Sequence, residues 1–276
     1  MKKFVTLLII SYKSSDNIKL ILKKFSKSFK IIIVDNSKDI QLKKLINKKN
    51  KNINLYFQNN VGYGAAINFG SKYVKTNYFF AFNPDLNFNI SCIRNLYKAA
   101  KKLKGKFGAL GYRQSFINKK NKTTELTKSI NGSGMFFFKD TFNKIGGFDK
   151  NIWLFFEEND FCKRATKLNY PLYSINNAVA YHTGGDSMNS SSPEEKKFNM
   201  ILVKSWHGLW SRYYFYKKHY GFIYAFKNMV PRLIKIIVQL LITSIYNIKK
   251  TRIYYFQLYG VVCSIIGTKS FLRPKK

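Results

Sequence analysis

The first ninety residues repeat one pattern: a short apolar run, a polar tip, then a stretch with apolar positions every three or four residues. The runs are Val5 to Ser11, Lys30 to Val34, Ile53 to Phe57 and Tyr78 to Phe82. Runs this short, and this rich in β-branched and aromatic residues, predict strands buried on both faces of a parallel sheet. Helices are predicted between them: after Ser15-Asp16, with apolar positions Ile18, Ile21, Leu22 and Phe25; near Ile40 to Lys48; and over Ala65 to Lys75. Strand, tip and helix, three times over, predict a doubly wound α/β sheet. Such sheets bind ligands at the carboxyl ends of their strands. The tips there are Ser11-Tyr12, Asp35-Asn36, Asn59-Asn60 and Asn83-Pro84-Asp85.

The pattern then loosens. Ile90 to Leu103 predicts a helix, and Asn118 to Lys128 a polar loop or hairpin. Asn131-Gly132-Ser133-Gly134 leads into a strand, Met135 to Phe138, and Gly146-Gly147-Phe148-Asp149 predicts a turn. An aromatic stretch, Trp153 to Phe156, precedes Glu157-Glu158-Asn159-Asp160 and an amphipathic helix carrying Phe161, Cys162, Ala165 and Leu168. Ser174 to Tyr181 is the last predicted strand, and His182 follows it. The Gly/Ser-rich stretch Thr183 to Pro193 divides a domain 1–193 from a basic, aromatic helical segment 194–276. Within that segment Met229 to Ile248 is mostly apolar but contains Pro231, Arg232, Lys235 and Gln239. Those cations predict an amphipathic hairpin lying in a membrane interface rather than a spanning helix. A helical cap or dimer surface is the alternative.

Charge sharpens this division. The chain has a formal net charge of +36, from 49 Lys and Arg against 13 Asp and Glu. No acidic residue follows Glu195, whereas 16 basic ones do. The excess is nearly all Lys, and Lys lacks the bidentate fork that nucleic-acid readers draw on. Such a charge favours anionic partners, nucleotide phosphates, acidic lipid head groups or nucleic acid, and the scarcity of Arg makes nucleic acid the least expected of the three. Cys92, Cys162 and Cys263 have no metal or disulfide spacing and are expected to be buried in a reducing compartment. The apolar start, Phe4 to Ile10, is too short for a secretion signal.

Because acidic residues are scarce, their positions carry weight. Asp85 at a strand tip suits a divalent cation bridging a diphosphate, although Asn-Pro-Asp is also ordinary turn chemistry. Glu157, Glu158 and Asp160 fall within four positions behind an aromatic stretch. Crowded carboxylates in apolar surroundings raise one another's pKa and make a general base, while carboxylates at a helix start also cap it. His182 at a strand end is a possible imidazole ligand for Mn²⁺. Gly62-Tyr63-Gly64-Ala65-Ala66 is not the full dinucleotide fingerprint, and no Walker loop occurs.

Together these residues resemble the inverting family 2 glycosyltransferases of the GT-A fold, particularly bacterial rhamnosyltransferase-like members. The resemblance covers about residues 4 to 190. It rests on Ile10-Ser11-Tyr12, Ile33-Val34-Asp35-Asn36-Ser37, Asn60-Val61-Gly62-Tyr63-Gly64-Ala65-Ala66-Ile67-Asn68, Phe82-Asn83-Pro84-Asp85, Gly146 to Asp149, Phe156 to Cys162, and His182 with Gly185 and Ser187. It implies a Rossmann-like, mostly parallel central sheet flanked by helices. It also implies roles: Asp35, Ser11 and Tyr12 around the nucleoside, with Asn60 and Gly64 shaping the same pocket. Asn83 and Asp85 stand in a degenerate Asp-x-Asp motif, with Asp85 and His182 holding Mn²⁺ or Mg²⁺. Ser133 and Gly134 line the sugar or acceptor side. Glu158 matches the base, with Glu where Asp is usual, and Glu157 is the fallback. The implied partners are a nucleotide-diphosphate sugar, rhamnose first, and a glycan or polyprenyl-diphosphate-linked acceptor in cell-envelope polysaccharide synthesis. The implied location is cytoplasmic, peripheral to the inner face of the cell membrane. Two other readings stay open: a catalytically inactive glycosyltransferase-like binding protein and, on charge alone, a nucleic-acid-binding protein.

Overall fold

The computed structural model describes residues 1–46, 51–117, 122–182 and 193–274. The chain forms two compact units: Met1–Asp149 with Glu157–Asn189, and Lys150–Phe156 with Ser190–Lys276. The second unit thus takes in a short segment that the sequence reading put inside the first. The Gly/Ser-rich stretch, with Gly185 and Ser187, lies outside the described residues, as does Asn118 to Asn121.

In the first unit, strands β1 (Val5–Ser11), β2 (Lys30–Asp35), β3 (Ile53–Phe57) and β4 (Tyr78–Phe82) alternate with helices α1 (Ser15–Phe25), α2 (Ile40–Leu45) and α3 (Tyr63–Ser71). Then follow β5 (Leu86–Phe88), α4 (Ile90–Lys102), β6 (Ala109–Gln114), β7 (Thr124–Thr127), β8 (Gly134–Phe138), α5 (Lys139–Ile145), α6 (Glu157–Lys167) and β9 (Leu172–His182). Among the described residues the strands form one nine-stranded sheet, ordered β3-β2-β1-β4-β8-β6-β9-β5, with β7 paired to β9. Strands β1 to β4 pair parallel, as expected. The other half is mixed, because β8 runs antiparallel to both β4 and β6.

The strand period of two sorts β1 onto two cores. Val5, Leu7 and Ile9 join Ile18, Leu22 and Phe25 of α1 and Ile93 and Leu96 of α4. Leu8 and Ile10 join Ala66 and Ile67 of α3, Phe142 of α5 and Phe161 and Ala165 of α6. Helices therefore cover both faces, and the strand tips are left for ligands. Gly70 allows the close approach of α3: a Cβ there would lie 2.4 Å from Leu8 Cδ1.

The second unit holds α7 (Glu194–Tyr220), α8 (Phe222–Tyr246) and α9 (Ile248–Ile265). Gly221, at φ 87°, breaks α7 from α8. The Asn247 side chain accepts from Lys250 N and caps α9. Helices α7 and α9 touch at Gly260, where a Cβ would sit 2.3 Å from Trp206 O, and Ser264 Oγ donates to Trp210 O at 3.0 Å. All three cysteines are free and buried. Helix α8 is long and apolar enough to cross a membrane, by length and composition, and little of it is buried. Ile223, Ile234, Leu241 and Ile245 are exposed along it.

Candidate active site

The strand tips are joined by backbone. Ser11 and Asp35 are register partners, Asn36 N donates to Ser11 O at 2.8 Å, and Gln58 N donates to Asp35 O at 2.9 Å. Asn36 Nδ2 donates to Gly62 O and ties the loop before α3 to the same place. The Asp35 carboxylate is buried and accepts from Ser37 Oγ and from Asp39 N. Burial pushes its pKa up, and these hydrogen bonds and Ser11 pull against that. Beside it, Asn36 Oδ1 and Gln58 Oε1 are buried acceptors with no partner among the described residues. Buried acceptors are normally paired, so these two oxygens stand out at the strand tips. Tyr12, half-buried, has its phenol raised by burial and then by Asp35.

The turn after β4 is braced from β8 and β6. Asn83 N donates to Ser133 O at 3.0 Å. Ser133 Oγ lies 2.6 Å from Tyr112 Oη and donates to Asn131 Oδ1. A Cβ on Gly134 would meet Leu86 Cδ2 at 2.6 Å. Ser133 and Gly134 therefore act through the position of the turn rather than by offering free polar atoms. The three-residue β5 pairs with β9 so that Leu86 faces His182. As a result His182 Nε2 lies 3.2 Å from Asp85 Oδ2, with each side chain about a fifth exposed.

The three carboxylates of α6 sit in different surroundings. Asp160 is fully buried and takes Arg164 Nε at 2.8 Å, while Arg164 also donates to Ile145 O and Gly147 O. That pair locks the Gly146–Asp149 turn. From the other side Asn68 holds Phe148, through Phe148 N and O at 2.8 Å each. A Cβ on Gly64 would meet Phe148 Cβ at 2.8 Å, so only glycine fits this close packing. Helix α6 begins straight after Phe155 and Phe156, at φ 64° and 65°. Two adjacent left-handed aromatic residues cost on the order of 1–3 kcal/mol each, strain of the kind found at functional sites.

Glu157 and Glu158 remain. Both are raised by burial, and Glu157 further by the charge of Glu158. Glu157 Oε2 is buried with no hydrogen bond among the described residues. Glu158 packs on Gly132, whose Cβ would lie 3.4 Å from it. Sequence reasoning missed the residue that links the two halves. Tyr63 Oη, at the start of α3, is buried and has no partner among the described residues. Its pKa stands well above the usual range, from burial first, then Glu157, Asp85 and Glu158. The charges of Asp85, Glu157 and Glu158 thus act on one buried oxygen. The only trace of Tyr63 in the sequence was its place between two glycines. Asn36 stood in a named tip, and Gln58 directly precedes another, Asn59-Asn60.

A mixed sheet with a parallel half, polar strand tips and helices on both faces is an α/β, GT-A-like fold. The sequence pattern described as Glycosyl transferase family 2 matches residues 6–165, more than half of the chain. The chain belongs to Glycosyl transferase family 2. It is 22% identical over 193 residues to the low-salt glycan biosynthesis hexosyltransferase Agl10 of Haloferax volcanii. That match covers 60% of this chain and 62% of the relative's length. The crystal structure of GalNAc-T7 with UDP, GalNAc and Mn²⁺ superposes with a TM-score of 0.57 at 12% identity, over 78% of this chain and 50% of that one. It shares the fold.

Proposed function

We propose that the protein is an inverting glycosyltransferase. It moves a sugar, rhamnose as first choice, from a nucleotide-diphosphate sugar to a glycan or polyprenyl-diphosphate-linked acceptor in cell-envelope polysaccharide synthesis. The observation that carries this is that the charges of Asp85, Glu157 and Glu158 all act on the buried Tyr63 hydroxyl, at the start of α3 in a family 2 domain.

Glu158 accepts the proton of an acceptor hydroxyl. The resulting oxygen attacks the anomeric carbon in line, and the bond from that carbon to the diphosphate breaks. One displacement inverts the centre. Glu157, sharing the buried site, keeps the pair's proton affinity high enough for this transfer. Asp35, Asn36 and Gln58 take the nucleobase edge, with Ser11, Tyr12 and Asn60 around the nucleoside.

Asp85 and His182 fit a divalent cation. One carboxylate oxygen and one imidazole nitrogen face each other, partly exposed, and this mixed set suits Mn²⁺ better than Mg²⁺. Among the described residues no three His, Cys, Asp or Glu cluster as a cage, so the diphosphate would complete the coordination. When bound, the ion supplies charge neutralisation to the leaving diphosphate.

The second unit supports a membrane-surface partner, at the inner face of the cell membrane. It joins exposed Ile223, Ile234, Leu241 and Ile245 on α8 to a stretch with 16 basic and no acidic residues after Glu195. The test is turnover of a panel of UDP- and dTDP-sugars with Mn²⁺ by the full chain. Release of nucleoside diphosphate that depends on acceptor supports the reading. Saturable donor binding without transfer to any acceptor favours the inactive relative.

A further inference from the structure

Two buried polar atoms of the first unit, Tyr63 Oη and Glu157 Oε2, have no partner among the described residues. They are complementary in kind. The phenol holds its proton, because its pKa is raised well above the usual range, and so it donates. A carboxyl oxygen accepts, whether or not its twin carries a proton. Buried groups of this sort normally satisfy each other, yet these two do not.

The backbone keeps them apart. Tyr63 is the first residue of α3 and Glu157 the first of α6. On one side of Tyr63, Asn36 Nδ2 holds Gly62 O. On the other, Gly64 leaves room for Phe148, whose ring packs on Phe161 of α6 with centroids 5.1 Å apart. The first turns of both helices therefore share Phe148. That residue is itself fixed by Asn68, and Arg164 holds Gly147 O before it. Of the charges that act on the Tyr63 hydroxyl, that of Glu157 is the largest, so the two groups are near neighbours that do not bond.

A donor and an acceptor facing the same space are both satisfied by one group that accepts and donates at once. A hydroxyl does this. A phosphate oxygen only accepts and would leave Glu157 Oε2 unpaired. A nucleobase N–H only donates and would leave Tyr63 Oη unpaired. Position selects which hydroxyl. Tyr63 follows Gly62, which is tied to Asn36 at the β2 tip, on the nucleoside side of the proposed site. Glu157 precedes Glu158, the proposed base. The donor sugar is the part of the substrate that runs between those two ends.

We propose that Tyr63 and Glu157 clamp one hydroxyl of the donor sugar, Tyr63 Oη donating to it and Glu157 Oε2 accepting from it. The proposal rests on the glycosyltransferase reading above and adds a sugar-selecting contact to it. A sugar lacking that hydroxyl would leave both buried atoms unpaired, which is how a site rejects a deoxy analogue.

Calorimetric titration of the full chain with Mn²⁺ tests it. The ligands are UDP, dTDP, UDP-glucose, UDP-galactose and dTDP-rhamnose. The quantity read is the affinity of each nucleotide sugar relative to its bare diphosphate. Tyr63→Phe keeps the ring and its packing, so it is expected to fold. In this variant the ratio is expected to fall about ten-fold for at least one sugar, while UDP and dTDP bind within about two-fold of wild type. Glu157→Gln is expected to lower the same ratio. The double variant is expected to lose less than the product of the two single losses, because both groups hold one hydroxyl. Losses that multiply assign two separate hydroxyls and overturn the clamp. Equal weakening of diphosphate and nucleotide sugar places the Tyr63 hydroxyl on a phosphate and overturns the sugar contact. Unchanged ratios in Tyr63→Phe mean that water fills the gap, and overturn it too. In these three cases the glycosyltransferase reading stands. Failure of the wild type to bind any of the five ligands counts against that reading, and the clamp falls with it.

Discussion

Asp85 and His182 meet at 3.2 Å because Leu86 and His182 are partners in an antiparallel pair of strands. The residues are 97 positions apart, yet the backbone, not a flexible side chain, sets their approach. Strand β5 is three residues long: its pairing carries Asp85 to β9, and its Leu86 and Phe88 bury in the core.

If this pair holds a cation, Asp85→Asn and His182→Ala each lose most of the Mn²⁺-dependent gain in nucleotide affinity. The expected loss is about 10–100-fold, the scale on which metal sites respond to altered shells. Calorimetric titration of UDP and dTDP, with and without Mn²⁺, reads it. Unchanged affinity in both variants removes the metal assignment.

Burial raises Glu157, and the raised value has a sign in stability. Above the ordinary carboxyl value of about 4.3 the unfolded chain ionises while the folded one keeps its proton. Unfolding then releases protons, so stability falls as pH rises toward the folded value. Glu157→Gln removes this loss. Its stability relative to wild type is expected to improve between pH 4.5 and 7.5, as read by urea denaturation. A gap that is the same at both pH values contradicts the raised carboxyl. The acid limb of kcat/KM is likewise expected above the ordinary carboxyl range.

Tyr63 Oη costs about 1–3 kcal/mol as a buried hydroxyl without a partner among the described residues. Tyr63→Phe is expected to stabilise the free protein by about 1 kcal/mol and to lower kcat/KM roughly ten-fold, because a ligand oxygen supplies the missing acceptor. Denaturation and steady-state rates on the same sample decide it. A destabilised variant means the hydroxyl is already bonded.

In the second unit His207 is buried, its pKa lowered to about 4 by burial. Its Nε2 donates to Leu272 O at 2.8 Å, and Trp153 and Trp206 flank the ring. The neutral ring stabilises the fold above about pH 6.5, and this is lost as pH falls toward 4, by up to about 3 kcal/mol. His207→Gln is expected to be less acid-sensitive than wild type by that order. Parallel pH dependence of the two proteins counts against it.

The parallel half of the fold was legible because strands buried on both faces read as unbroken apolar runs, and β1 to β4 do. Strand β6 was not, because Gly111, Arg113 and Gln114 interrupt it. Gly111 is there for a packing reason that only the fold reveals: a Cβ would lie 2.9 Å from Ile130 Cγ2. Strand β5 is hidden by its length, and α5 by its aromatic neighbours. At the site, Asp85, His182 and the cluster from Glu157 to Asp160 stood out by scarcity and spacing, and only the family resemblance singled out Glu158 within it. The sequence could not separate Asp160 from its two neighbours, since its tie to Arg164 and the Gly146–Asp149 turn is tertiary. Tyr63 looked like a helix residue, and its isolation from partners is visible only in three dimensions. The segment Lys150–Phe156 read as a lead-in to the acidic cluster, yet it packs with α7, where Phe156 meets Phe215 and Arg212.

The proton acceptor is the most exposed point of the account. Single-turnover transfer by wild type and Glu158→Gln, with donor binding measured on the same proteins, tests it. The expected result is a rate at least about 100-fold lower with donor affinity unchanged. Transfer by Glu158→Gln at close to the wild-type rate contradicts the assignment of the base, and with it the chemistry proposed for this cleft.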